Sequence, residues 1–305
     1  MRVSDTGGVN TGHRVPGRSQ RPGFRARRPS PTKAPDSVTT AVILAGGFGT
    51  RLRSVVSDRP KVMAEVRGRP YLEYLFDQVL AAGARHAVLC TGYKADQIEA
   101  AFGLAYRGLR LSYSEEPSPL GTGGAMRYAL PHIESETVLA MNGDSYCAAD
   151  LTTFQKWHHE HGAAASLLLA QVSDTSRFGR VQTDDEGRVL KFGEKGEHSG
   201  PGWINAGIYL IQRELLEAIP EGKISIEREV FPSQIGHGLY ASQTGGRFLD
   251  IGTPESYAEA EEFFKDPNVK TGYGNHLMPK DFRSPPDYLV EDAGSISQTL
   301  SSEEG

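Results

Sequence analysis

The sequence predicts an α/β protein: a mainly parallel, layered sheet with helices on its faces, joined to a smaller β-rich part. Three observations predict it. Short apolar runs of strand length alternate with amphipathic helical patterns through the first half of the chain. The first of these runs, residues 41–44, empties into a glycine-rich turn. Past Asp150 the helical patterns thin out and shorter β segments take over.

Taken in order, residues 41–44 (AVIL) read as a buried strand, followed by Gly46, Gly47 and Gly49 and then Thr50 and Arg51. Residues 71–82 carry apolar side chains at helical spacing (Tyr71, Leu72, Leu75, Phe76, Val79, Leu80), and Gly83 closes that helix. A strand at 86–90, a helix at 96–102 and a strand at 109–113 continue the alternation. The next helix, 121–130, opens in a second glycine-rich turn, LGTGGA, and the apolar strand 137–141 runs into Asn142, Gly143 and Asp144. A helix at 151–161 precedes β segments at 164–170, 179–183, 189–192 and 203–211. The sequence DDEG at 184–187 makes the middle two a hairpin. Ser225 opens a short helix that Pro232 ends, two short strands follow near Leu239 and Phe248, and Thr253 caps a last helix reaching Lys265. No internal repeat is present, and no hexapeptide series that would build a β-helix.

Of the 305 residues, those at the two ends do not read as core. Residues 1–37 hold eight Lys/Arg against two Asp among proline, glycine and serine, the composition of a disordered basic tail. Residues 266–305 hold three Lys/Arg and seven Asp/Glu, an acidic tail of the same kind. Setting aside +6 and −4 for the tails from the overall −5 leaves −7 for residues 38–265, the one expected domain. A mildly acidic domain argues against a nucleic-acid surface, and the basic tail reads as a solvated arm. No run of about 18 apolar residues could span a bilayer, and no export signal follows Arg27 and Arg28, so no membrane association is expected. Two cysteines, Cys90 and Cys147, are too few for a disulfide scaffold and fit a reducing cytoplasm.

The turn after the first strand reads as a phosphate cradle. Glycines let main-chain N–H groups approach an anion, Arg51 adds a planar fork of donors, and Lys61 supplies a mobile positive charge from the far side of the loop. A P-loop would need lysine and a hydroxyl residue directly after Gly49, and a dinucleotide fingerprint would need glycine where Leu52 stands; neither fits. Asp144 and Asp250 each lie at a strand end, where open parallel sheets place ligand groups, and the pair suits one Mg²⁺. Glu194 and Lys195 follow a strand, and Asn205 lies on the next; a carboxylate and an amide suit sugar hydroxyls, and the lysine a further phosphate. Against this stands the bland reading of Glu194 and Lys195 as surface charges. His158, His159 and His161 read as a polar helix face, and Cys147 as a small buried residue without a base to activate it.

Taken together, LAGGFGTRL followed by PK, then EPSPLGTGGA, NGDSY, GEK, NAGIY and FLDIGTPESY, resemble in kind and order the sugar-1-phosphate nucleotidyltransferases, over residues 40–262. Within that family the wording from Arg51 to Leu75 is most similar to the guanylyltransferases that act on D-glycero-α-D-manno-heptose 1-phosphate. The resemblance implies a Rossmann-like nucleotide-diphospho-sugar transferase fold with a β-rich sugar-binding part. It implies that Leu44, Ala45, Gly46, Gly47, Gly49, Thr50, Gly121 and Asp144 hold the nucleotide, and that Arg51 and Lys61 act on the reacting phosphates. Asp144 and Asp250 would bind Mg²⁺. Lys195 would hold the acceptor phosphate, and Gly179, Glu194 and Asn205 the sugar. Glu116 stands where relatives carry a residue that pairs with the base; a carboxylate can accept from both N1–H and the 2-amino group of guanine, which points to GTP. The implied partners are GTP or another NTP and a sugar 1-phosphate, and a homo-oligomer is compatible with the sequence. The alternatives are transfer onto a hexose or cyclitol phosphate, transfer from ATP or dTTP, and a non-catalytic sensor on the same scaffold.

Overall fold

The computed structural model describes residues 39–196, 199–267 and 269. The expected tails at 1–37 and 266–305 therefore lie outside the described residues, apart from 266, 267 and 269. Val269 is buried.

The chain opens with β1 (Thr40–Leu44), whose Ala41 and Ile43 face one hydrophobic core and Val42 the other. Both faces of the strand are thus covered, as a parallel sheet requires. A short ribbon, β2 (Glu65–Val66) and β3 (Arg69–Pro70), leads into α1 (Tyr71–Ala81), which buries the apolar stripe read from its spacing. Gly83, at φ +90°, ends it in a conformation costly for other residues. Then follow β4 (His86–Thr91), α2 (Ala95–Phe102), β5 (Ala105–Tyr106) and β6 (Leu109–Glu115). Helix α3 (Gly121–Tyr128) leads to β7 (Thr137–Asn142), β8 (Ser145–Cys147) and α4 (Leu151–Glu160). The side chain of Asp150 caps α4, accepting from the N–H groups of Thr152 and Thr153.

The second half contains β9 (Ala165–Val172), the hairpin β10 (Val181–Thr183) and β11 (Val189–Phe192), and the long β12 (Gly202–Gln212). After α5 (Arg213–Glu217) come a π-helical turn, Ile226–Val230, and α6 (Phe231–Ser233). Strands β13 (Leu239–Thr244) and β14 (Phe248–Asp250) and helices α7 (Pro254–Ala258) and α8 (Ala260–Phe263) complete it. Among the described residues no helix is long and apolar enough to cross a membrane.

Eight strands form the main sheet in the order β13-β9-β12-β7-β1-β4-β6-β5. Pairings β13–β9, β7–β1, β1–β4 and β4–β6 are parallel; β12 is antiparallel to both its neighbours, and β5 to β6. The mainly parallel layered sheet expected from the sequence is present. From β1 the chain builds outward through β4 and β6, then returns to place β7 on the other side of β1. That reversal opens a crevice at the carboxyl ends of β1 and β7.

Three sequence readings are corrected. Pro232 does not end a helix; it lies in the first turn of α6, where a missing N–H costs nothing. The last helix is two, broken at Glu259, although Thr253 caps the first of them with a reciprocal Ser256 contact as expected. His158 is fully buried rather than on a polar face: its Nδ1 meets Ser166 Oγ at 2.8 Å and its Nε2 meets the Gln212 amide at 3.0 Å. His161, three residues on, turns to the Trp157 carbonyl instead, so the histidines form no metal pair.

Candidate active site

Two cavities open at the carboxyl ends of the parallel strands, one of about 410 Å³ and one of about 960 Å³. They share two lining residues, Asn142 and Asp144.

The smaller cavity is built from the β1 turn. It is lined by Leu44, Ala45, Gly46, Gly47, Gly49, Thr50, Arg51, Lys61, Glu116, Gly121 and Asp144, which are all the residues assigned from the sequence to nucleotide and catalysis. The glycines have separate reasons. Gly49 takes φ +58°, and a Cβ there would sit 3.0 Å from the Lys61 Cβ, so the glycine also makes room for the lysine stem. A Cβ on Gly46 would lie 2.9 Å from Glu116 Oε1, whereas one on Gly47 would meet nothing within 4 Å. Space beside Gly47 therefore belongs to the cavity and not to the protein's own packing. Glu116 is half-buried, and its Oε2 accepts from the Leu120 N–H at 2.7 Å. Burial pushes its carboxyl up, and that N–H partly opposes the shift.

Asp144 reaches the junction because β7 ends beside β1. The Gly143 N–H donates to the Leu44 carbonyl at 3.0 Å, and a Cβ on Gly143 would lie only 2.5 Å from that oxygen. Asp250 arrives by another route: β14 pairs antiparallel with β8, setting Asp250 opposite Ser145, and Ile251 donates to the Asp144 carbonyl at 2.9 Å. Lys61 Nζ is 2.7 Å from Asp144 Oδ2, with the lysine side chain only 10% exposed. The Asp250 carboxyl is raised first by burial and then by the charge of Asp144, while Lys61, the Gly252 N–H and Arg51 oppose the shift. Arg51, Lys61 and Asp144 thus all lie close enough to Asp250 to act on its charge.

The larger cavity holds Gly179, Glu194, Lys195 and Asn205 together with Asp144 and Asp250. The β10–β11 hairpin presents the first three: its strands pinch where Gly193 donates to the Arg180 carbonyl at 2.7 Å, and a Cβ on Gly179 would lie 2.5 Å from the Gly193 oxygen. Asn205 sits at a bulge in β12, its Oδ1 accepting from the Gly207 N–H at 2.9 Å.

Sequence reasoning missed several lining residues. Asn142 faces both cavities, Thr122 the smaller, and Tyr209, Glu227 and Arg228 the larger. Asn142 stands in the NGD motif and was available to it; Glu227 arrives from a turn that carries no local signal. Among the described residues no group of three or more His, Cys, Asp or Glu could cage a metal. Two carboxylates that line one cavity, with the charge of Asp144 felt at Asp250, suit a hard cation that completes its shell with water and substrate oxygens, and not a zinc site.

Comparison with known proteins gives a consistent picture. The chain is 39% identical over 222 residues to a mannose-1-phosphate guanylyltransferase of Mycobacterium tuberculosis (strain ATCC 25618 / H37Rv), covering 71% of this chain and 62% of that one. It therefore spans less than two thirds of that relative. It is 38% identical over 225 residues to a D-glycero-alpha-D-manno-heptose 1-phosphate guanylyltransferase of Aneurinibacillus thermoaerophilus, covering 73% of this chain and 96% of that one. Its fold is similar to the crystal structure of HddC from Yersinia pseudotuberculosis, with a TM-score of 0.67 and 35% identity over 74% of this chain and 99% of that one. A second HddC structure, complexed with GMP-PN, is similar at a TM-score of 0.66 and 34% identity, covering 74% of this chain and 99% of that one. The nucleotidyl transferase profile matches residues 40–266, and with these relatives beside it the chain belongs to the nucleotidyl transferase family.

Proposed function

We propose that the protein is a guanylyltransferase that joins GTP to a heptose 1-phosphate, releasing pyrophosphate and forming a GDP-sugar. The observation that carries this reading is the meeting of two cavities at Asp144, one framed by the glycine turn with Arg51 and Lys61, the other by Lys195, Glu194 and Asn205. A nucleotide and a sugar phosphate seated there would bring their phosphates together at the shared wall. The catalytic unit is assigned to residues 38–265. Buried free thiols at Cys90 and Cys147 fit a reducing cytoplasm.

The chemistry needs little proton transfer. A sugar phosphate loses its second proton near pH ~6, so its oxygen is already a nucleophile at neutral pH. That oxygen attacks the α-phosphorus of GTP, the bond to the β-phosphate breaks, and pyrophosphate leaves with the electron pair. The obstacle is repulsion between two anions. Arg51 and the N–H groups around Gly47 and Gly49 would hold the phosphates that leave, while Lys61 would turn from Asp144 to the reacting phosphate. Lys195 would fix the acceptor phosphate for in-line approach, and Glu194, Asn205 and Gly179 the sugar. Asp144 and Asp250 would hold Mg²⁺, which supplies further neutralisation of the phosphate oxygens. Glu116 would accept from the guanine edge.

The acceptor is assigned as heptose because the chain covers nearly all of the heptose-specific relative. A second reading, mannose 1-phosphate, is favoured by the Mycobacterium relative at 39% identity. Incubation with Mg²⁺, each NTP in turn and a panel of sugar 1-phosphates, following pyrophosphate release, tests both. Turnover is expected with GTP and a heptose or mannose 1-phosphate; release with no pair in the panel would refute the assignment.

A further inference from the structure

Glu227 lines the larger cavity but stands outside the residues assigned above. Its carboxylate collects three hydroxyl donors from three parts of the fold. Thr122 Oγ1 donates to Oε2 at 2.7 Å, Ser225 Oγ to the same oxygen at 3.1 Å, and the Tyr209 hydroxyl to Oε1 at 3.2 Å. Thr122 belongs to the wall of the smaller cavity and Tyr209 to that of the larger. A carboxylate can only accept, so the phenol proton of Tyr209 is committed to Glu227. The phenol oxygen is then left as an acceptor, and it accepts from the Asn205 Nδ2 at 2.9 Å and from the Asn142 amide.

That chain of roles and the Gly207 N–H together set which way the amide of Asn205 points. Its Nδ2 faces Tyr209 and its Oδ1 faces the Gly207 N–H at 2.9 Å, leaving one N–H and one lone pair for a ligand. Tyr209 is fully buried, so a phenol proton without an acceptor there would carry a desolvation penalty that the fold avoids.

The glycine turn at the start of α3 packs against the segment that carries this carboxylate. Gly123 and Gly124 donate to the Ile224 carbonyl at 2.9 and 3.2 Å, and Ile224 donates to the Leu120 carbonyl at 2.9 Å. A Cβ on Gly121 would lie 2.6 Å from the Ile224 oxygen, and one on Gly124 would strike the Gly222 carbonyl. The Ile226 N–H closes the stitch on Thr122 Oγ1 at 2.9 Å.

We propose that Glu227 is a positioning residue for the acceptor: acting through the Tyr209 hydroxyl, it orients the Asn205 amide toward the sugar hydroxyls and ties that amide to the nucleotide wall at Thr122. The proposal rests on the nucleotidyltransferase reading. A glutamine at 227 offers one accepting oxygen; with two hydroxyls on the Oε2 side and one on the Oε1 side, that oxygen stays with Thr122 and Ser225, the amide nitrogen faces Tyr209, and the chain breaks there.

The test measures kcat and both KM values for Glu227→Gln, Tyr209→Phe and the double variant, with thermal unfolding as the check on folding. Each single change is expected to raise the sugar 1-phosphate KM about tenfold, the size of one neutral hydrogen bond, with kcat within about threefold and the GTP KM within about twofold of wild type. The double variant should be no more than about threefold worse than the poorer single one, because both changes cut the same chain. An unchanged acceptor KM in folded Tyr209→Phe would overturn the proposal, as would single effects that multiply in the double variant. If Glu227→Gln does not fold, Tyr209→Phe decides alone. A wild-type protein that turns over no NTP and sugar 1-phosphate pair would instead overturn the underlying functional reading, and this proposal with it.

Discussion

Replacing Lys61 by methionine keeps the stem that packs over Gly49 and removes only the charge. In the ligand-free protein that charge lies 2.7 Å from Asp144 Oδ2. Asp144 is 42% exposed, so water screens the pair, but Lys61 is only 10% exposed and also offsets the charge of Asp250, so a small drop in unfolding temperature is expected. The loss falls on the reaction. A lysine meeting a phosphate at the ~4 Å of a contact ion pair, in an effective dielectric of ~20, contributes about 4 kcal/mol, and kcat/KM should drop about a thousandfold. Raising Mg²⁺ should not restore it, since the substitution frees Asp144 and leaves the metal's ligands intact. The assay is pyrophosphate release at several Mg²⁺ concentrations, beside a thermal melt. Activity within tenfold of wild type at saturating Mg²⁺ would refute the role given to Lys61.

Three further changes probe the base site, the shared wall and a buried histidine. Glu116→Gln loses the carboxylate that would accept two guanine donors, so the ratio of kcat/KM for GTP over ATP should fall about tenfold, and an unchanged ratio would remove Glu116 from base selection. Gly143→Ala would force a Cβ to within 2.5 Å of the Leu44 oxygen and 2.9 Å of Val62 Cγ1, costing about 1–3 kcal/mol and raising the GTP KM as the shared wall shifts; a wild-type melt would contradict this. Burial holds the His158 imidazole down at about 3, against an ordinary 6.5, so the unfolded chain binds that proton more readily. Its contribution is complete above pH 6.5 and is lost as pH falls toward 3, at up to about 1.4 kcal/mol per pH unit. Urea unfolding at pH 7, 6 and 5 should show that slope flattened in His158→Asn relative to wild type, and parallel profiles would argue against it.

The first half of the sheet was legible because its strands are buried on both faces and so read as continuous apolar runs. The glycine turn with Arg51 and Lys61 was legible because its glycines and cations fall within one short stretch directly after a buried strand. The direction of β12 was not, because no residue of an apolar strand marks which way it runs beside its neighbours. The approach of Asp250 to Asp144 depends on pairing between two three-residue strands, β8 and β14, too short to carry a periodic signal. The turn at Gly121–Gly124 was read as a helix start, but the reason for its glycines is the chain at 222–226, far away in sequence. His158 was misread because its polarity is answered by Ser166 and Gln212, on strands β9 and β12. In each case the missing information was a contact between segments distant along the chain.

In the proposed reaction the two substrates meet directly where the cavities join, with no covalent enzyme intermediate. The stereochemical course at the α-phosphorus tests it most directly. One diastereomer of GTP carrying sulfur on that phosphorus is turned over with the accepted sugar 1-phosphate, and the configuration of the thio-substituted GDP-sugar is determined. A single in-line displacement predicts inversion. Retention would require two displacements and an enzyme-bound nucleotide, and would contradict direct transfer.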